Sequence, residues 1–404
     1  MAAGRVLTRL GLVVHRLGDP RSEELLAEAR AVLETQPPGP ELVSAYAYLA
    51  GRYAITSRYP QAVAAGERAL ALAKELGLSE PPFAFNFRGY ARCELGEAEG
   101  VEDMRRALQL ALEQAQGREA GVIYGYLTWT GWAYQGPQAA LDVCAEGVAF
   151  CERRGITEVA LQLRSGRPAT LAALGQTEQA LAEAGPLADR LQAAGDIAFI
   201  ESRTVQLWLH AERGTPQQAP AHDELLTTAR DMRLVTETTA LFMAAAHLLL
   251  ARGEPEQARA LLHELDELQA VRSEFDYGLA SPVRLALALD DESLACRLTT
   301  GIEPVTPLSA HVLATAQAQL AEAAGDHVQA ASLYADAADG WRKFGNVPER
   351  AYALLGQGRC LLALSDAGAE VQLTEARDLF RSIGYEPALA ETEKLLAHAA
   401  APAS

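Results

Sequence analysis

The chain has 404 residues, 49% of them hydrophobic, and 53 acidic against 35 basic side chains give it a formal net charge of −18. That charge repels a phosphate backbone and an anionic lipid surface alike, so neither nucleic acid nor membrane is an expected partner. Cys93, Cys144, Cys151, Cys296 and Cys360 are odd in number and lack CxxC spacing, which excludes a disulfide framework and a zinc ribbon and suits a reduced cytoplasm. The N-terminal apolar run Leu10 to Val14 is too short for a signal peptide, and the stretch Ala240 to Ala251, which contains His247, is too short for a membrane span.

Taken in chain order, a small spacer residue recurs at Gly18, Ser57, Gly96, Gly136, Gly175, Gly214 and Gly253, at intervals of 39, 39, 40, 39, 39 and 39. Helical sequence surrounds each, so the spacing predicts a stack of helix pairs in which each pair packs on its neighbours. A Gly in a left-handed cap ends the first helix of a pair, and an Ala five residues on (Ala180, Ala219, Ala258, Ala330) lets the second helix approach closely. A second register, Gly77, Gly117, Gly155, Gly195, Gly301, Gly345 and Gly384, ends the second helix. Ten repeats result, with first helices expected near 4–17, 41–56, 83–95, 119–135, 157–174, 197–213, 236–252, 275–289, 308–324 and 348–364.

Two places depart from the rule. Arg164-Ser165-Gly166-Arg167-Pro168 falls inside the first helix of repeat 5, where Pro predicts a kink or a hinge. Between Gly253 and Gly325 lie 72 residues, enough for two shortened repeats, with the missing spacer near Asp290 and Asp291 and a Pro-containing loop at 301–307. One continuous array is therefore expected, with regular repeats over 1–270, a degenerate repeat and loop over 271–307, and two repeats with a final amphipathic capping helix over 308–404.

A first helix that ends in Gly, an Ala five residues later, an aromatic such as Tyr53 four residues before the spacer, and Gly89 and Ala246 seven before it resemble the tetratricopeptide repeat. The resemblance covers nearly the whole chain. Its period exceeds the usual 34 and is similar to that of the long-repeat arrays of bacterial signalling ATPases, including maltose-regulator-like and LuxR-type regulators and ATPase-linked adenylate cyclases. The segments QGPQAALDVCAEGVAFCERRGITE and TEARDLFRSIGYEPALAETEKLL resemble those tails. The resemblance implies an all-α, right-handed superhelical solenoid of about ten helix pairs plus a C-terminal capping helix.

It also implies a concave groove lined by first helices, with positions six, ten and thirteen before each spacer facing a ligand. Those positions are Tyr90, Asn86 and Phe83 in repeat 3, Trp208, Thr204 and Glu201 in repeat 6, and His247 and Met243 in repeat 7. Repeat 4 contributes Tyr126 and Trp129; its irregular turn leaves groove and core both open for Trp129 and Trp132. Nine of the 25 aromatic residues fall between 83 and 134, and amphipathic rings of this kind anchor peptides or helices. Arg88, Arg92 and Arg203 would be available for partner carboxylates.

Catalytic chemistry is not announced. There is no GxxxxGK[ST] loop, no HExxH among the eight histidines and no GxSxG elbow, and Asp290-Asp291-Glu292 suits a helix start. No enzyme activity, cofactor or metal is expected. The expected role is a cytoplasmic protein-interaction scaffold or regulatory module of bacterial signalling that binds a peptide or helix of a partner protein. Two alternatives stay open: a small-molecule sensor using Trp129, Trp132, Tyr134 and Trp208, and a detached C-terminal part of a larger signalling protein.

Overall fold

The computed structural model describes residues 21–232, 235–268 and 280–399, with residues 4, 6, 7, 10 and 11. The spacer Gly18, most of the helix expected over 4–17 and the start of that expected at 275 lie outside the described residues. Regular structure among the described residues is helical throughout: α-helices and one 3₁₀ turn at Pro216–Gln218.

The helices follow the two registers. α1 (Arg21–Glu34) is followed by the pairs α2 (Pro40–Ile55) and α3 (Tyr59–Glu75), α4 (Pro82–Glu94) and α5 (Gly100–Glu113), and α6 (Gly117–Gln135) and α7 (Pro137–Arg153). Ser57, Gly96, Gly136, Gly175, Gly214 and Gly253 all adopt left-handed backbone, with φ from 55° to 97°. The turn at Gly253 shows why. Its N–H reaches the Leu250 carbonyl at 3.0 Å and the Glu254 N–H reaches that of Leu249 at 2.9 Å, which satisfies carbonyls that the ending helix orphans.

In repeat 3 the second-register turn sits at Ala115, with φ 56°, while Gly117 opens α6. The missing spacer is Asp290, also left-handed, and Asp291 caps the next helix by accepting from the Leu294 N–H at 2.9 Å.

Small residues set the spacing between helices. Gly89 of α4 and Gly100 of α5 touch backbone to backbone, and a Cβ on either would overlap the other's carbonyl oxygen. Ala180, Ala258 and Ala330 are buried at the hairpin crossings. Ala219 differs, because Pro216 and Pro220 delay the second helix of repeat 6 until Asp223.

Pro168 breaks its helix outright, giving α8 (Thr157–Leu163) and α9 (Arg167–Ala173). The Arg167 N–H turns to the Arg164 carbonyl at 3.1 Å, and the Leu163 carbonyl accepts instead from the Cys144 thiol at 3.1 Å. Proline has no N–H to continue the ladder, so the break needs no other cause.

Two compact units divide the chain: residues 1–134 with 142–163, and residues 135–141 with 164–404. The smaller unit is a stack of hairpins with an alanine-rich core that also takes in Leu49, Met104 and Ile123. The larger unit continues from α9 through α10 (Thr177–Ala193), α11 (Phe199–Glu212), α12 (Asp223–Met232), α13 (Val235–Ala251), α14 (Pro255–Leu268), α15 (Ala280–Ala288) and α16 (Glu292–Thr299). Residues 300–306 connect to α17 (Pro307–Ala323), α18 (His327–Phe344), α19 (Val347–Ala363), α20 (Ala369–Ile383) and the capping helix α21 (Glu386–Ala399).

Within the larger unit the end of the array returns to its beginning: α19 packs on α9, and α21 packs on α11. Spacer turns carry the seam. A Cβ on Gly136 would overlap the Phe344 carbonyl oxygen, one on Gly175 would lie 2.9 Å from Ile383 Cγ2, and one on Gly214 would lie 3.8 Å from Glu386 Cβ.

Candidate functional site

In the smaller unit the first helices of repeats 2 to 4 carry a ladder of rings. Tyr48 meets Phe83 edge-on at 5.9 Å, Phe83 meets Phe87 at 5.3 Å, Phe87 meets Tyr126 at 5.3 Å, and Tyr126 meets Tyr90 at 5.0 Å. Three of these contacts are edge-to-face and that of Phe83 with Phe87 is tilted, and packing at these distances holds the rings in fixed orientation. Phe87 is buried, whereas Tyr48, Phe83, Tyr90 and Tyr126 are half-buried and keep part of their surface open. Burial raises the Tyr126 hydroxyl above its ordinary value.

Of the expected groove residues in this unit, the structure brings Phe83, Tyr90 and Tyr126 together. Trp129 is half-buried further along α6. Asn86 is 0% exposed, and neither amide atom has a hydrogen-bond partner among the described residues, so it lies in the core. The Tyr134 hydroxyl donates to the Cys93 carbonyl at 2.7 Å. The arginines expected to be open to a partner are engaged internally. Arg88 grips Asp103 with two bonds of 2.8 and 2.6 Å, Arg92 shares that carboxylate at 3.2 Å and holds Glu97 at 2.7 Å, and Arg203 in the larger unit pairs with Asp189 at 2.5 Å.

The larger unit holds a second constellation, built on the seam. Trp208 stacks on His247 with ring centroids 4.6 Å apart. His247 Nε2 lies 3.4 Å from Glu212 Oε1 without the alignment of a hydrogen bond. Glu212 is 2% exposed and accepts from the Tyr352 hydroxyl at 2.5 Å. Arg284 lies 3.8 Å above the Tyr352 ring and donates to Glu349 at 3.1 Å. Burial pushes the Tyr385 hydroxyl well above its ordinary value, and Glu212 and Glu349 add to the rise.

Burial alone would raise the Glu212 carboxyl; His247, Tyr352 and Arg284 outweigh it and hold the group below its ordinary value. Burial likewise opposes the charge on Arg284, and Glu349, Tyr352 and Glu212 outweigh it, so the guanidinium is held charged.

Trp208 and His247 thus come together, while Thr204 is half-buried with its hydroxyl bonded to the Ile200 carbonyl at 2.9 Å, and Glu201 and Met243 are half-buried nearby on the same two helices. Arg284 and Tyr352 were missed. Counted from the true spacers Asp290 and Ser365, both left-handed, Arg284 stands six residues back, as Trp208 and His247 do, and Tyr352 thirteen back, as Phe83 and Glu201 do. Glu212, two before its spacer, falls on no such position.

Among the described residues, no three His, Cys, Asp or Glu are placed to hold a metal, and no helix is long and apolar enough to cross a membrane.

No family model and no curated protein matches the chain. Solved structures do resemble it. The human IFIT1 dimer with m7Gppp-AAAA aligns at 14% identity over 98% of this chain and 90% of that one, with TM-score 0.50. A monomeric IFIT1 mutant with Gppp-AAAA gives 13% identity, the same coverage and the same score. A Rap protein complexed with competence and sporulation factor gives 12% identity over 89% of this chain and 98% of that one, with TM-score 0.45. The IFIT1 likeness is one of fold, and it agrees with the hairpin stack: the chain is an all-α, tetratricopeptide-like helical repeat protein.

Proposed function

We propose that the chain is a non-enzymatic protein-interaction scaffold, and that its smaller unit binds a peptide or helix of a partner protein along the first helices of repeats 2 to 4. The observation that carries this reading is the ladder Tyr48, Phe83, Phe87, Tyr126 and Tyr90, with partly open rings held in place by their neighbours. Pre-ordered aromatic anchors lose little freedom on binding, which is the property that binding hot spots share.

The net charge of −18 favours a basic or neutral partner segment over an acidic one. IFIT1 is seen with capped RNA, yet the same charge opposes a phosphate backbone here. A bacterial signalling assembly in the cytoplasm is the setting we infer, on the resemblance of the long period and of the C-terminal sequence to signalling-ATPase tails.

The test is peptide selection on the immobilised chain, followed by fluorescence anisotropy with the selected peptides. Phe83→Ala, Tyr90→Ala and Tyr126→Ala combined should weaken binding at least tenfold with helicity unchanged. Undiminished affinity in the folded triple variant would remove this reading, and tighter binding of a capped RNA oligonucleotide than of any peptide would replace it.

A further inference from the structure

We propose that the larger unit is latched shut by its own C-terminal end: α19 and α21 lie on the first helices of repeats 5 and 6 as an internal occupant, and a partner reaches the groove face of those helices only after their release. This rests on the reading of first helices as the binding face.

Position is the first argument. Units of a helical repeat array contact their sequence neighbours, but here the Tyr352 hydroxyl bonds Glu212 from 140 residues away. Trp208, His247 and Arg284 stand at one register, six before the spacer, in three consecutive repeats. Tyr352, at the thirteenth position of repeat 10, lies under the guanidinium of one of them, Arg284. The C-terminal repeat thus lies on the first helices that carry the ligand-facing positions, and it engages one of those positions, Arg284, directly.

Chemistry is the second. The polar closing contacts are a carboxylate with a phenol and a guanidinium with a carboxylate. Buried ionic contacts of this kind fix one arrangement while adding little net stability over apolar packing. A latch that must open suits a seam that carries such contacts beside its apolar ones better than a wholly apolar seam.

Connection is the third. Residues 300–306 are non-helical and precede repeats 9 and 10, and the restart is fixed by a reciprocal cap in which the Ser309 N–H donates to Thr306 Oγ1 at 3.1 Å and the Thr306 N–H to Ser309 Oγ at 3.0 Å. The body from α17 to α21 therefore has a defined start next to a non-helical link.

Hydrogen exchange of the full chain, read by mass spectrometry, tests this without a partner. Amides in 205–212 and 349–356 should exchange together and ahead of those in 310–340. The double variant Glu212→Gln, Tyr352→Phe should raise exchange in both segments about tenfold and leave 310–340 unchanged.

A cross-link gives the converse. In a Cys296→Ser background, Gly214→Cys with Glu386→Cys places the two Cβ atoms 3.8 Å apart, within the disulfide range of about 3.5–4.5 Å. The oxidised form should suppress exchange in both segments, and reduction should restore it. A uniform rise across the larger unit, no rise in the double variant, or unchanged exchange after confirmed cross-linking would each overturn the latch. The double variant decides alone should the cysteine pair not fold. Peptide binding at Phe83, Tyr90 and Tyr126 is measured separately, so the latch can fail while the scaffold reading stands, and the reverse.

Discussion

Tyr352 and Glu212 meet through a 2.5 Å hydrogen bond in which the phenol donates to a carboxylate that is 2% exposed. A hydrogen bond to a charged group contributes about 1.5–3 kcal/mol, and breaking a buried charged contact from one side costs about 3–5 kcal/mol. Tyr352→Phe should therefore destabilise the larger unit by about 2 kcal/mol and Glu212→Ala by about 3 kcal/mol or more, read from urea unfolding by tryptophan fluorescence. Equal, negligible losses would mean that the seam does not form in solution.

The same carboxylate gives a pH dependence of known sign. Burial works to raise the Glu212 carboxyl, yet His247, Tyr352 and Arg284 hold it below its ordinary 4.5. A group lowered in the folded state contributes its full stability above the unfolded value and loses it as pH falls through the folded one. Thermal midpoints should hold from pH 7 to 5 and decline below about 4.5, with a shallower decline in Glu212→Gln. An identical acid profile in that variant would assign the decline to other carboxylates, such as Glu183, which is also held low: burial would raise it, and Arg167 and Gln179 outweigh that.

The helix pairs were legible because a left-handed turn leaves a mark in sequence: Gly stands at most of these turns. Where the chain accepts strain without Gly, the mark fades. Ala115 and Ser365 are left-handed with φ 56° and 57°, and the nearby Gly117 drew the expectation of a turn to itself. The aromatic ladder was legible from its density in residues 83–134, but the burial of Asn86 was not, because a helical register gives direction and not depth. Least legible was the seam. Nothing local to Tyr352 announces Glu212, since their contact depends on the summed rotation of all the repeats between them.

Asn86 offers a direct measurement. A fully buried amide whose two polar atoms have no partner among the described residues carries its desolvation cost without return. Asn86→Leu, which keeps the branching at Cγ, should leave stability unchanged or raise it by about 1 kcal/mol. A loss of more than about 1 kcal/mol would show that the amide makes a bond that the helices around it do not supply.

Two glycines of one register separate backbone conformation from contact. Gly136 and Gly253 are both left-handed, with φ 97° and 79°. A Cβ on Gly253 would point into open space, whereas one on Gly136 would overlap the Phe344 carbonyl oxygen. Gly253→Ala should cost only the left-handed penalty, about 1–2 kcal/mol. Gly136→Ala carries the same penalty and must also push two turns apart, an overpacking cost of about 1–3 kcal/mol. Chemical denaturation of the pair should therefore show the Gly136 variant weaker by that difference. Equal losses would mean that the Gly136 turn and the Phe344 turn are apart in solution, and that the return of repeat 9 onto the start of the larger unit does not persist there.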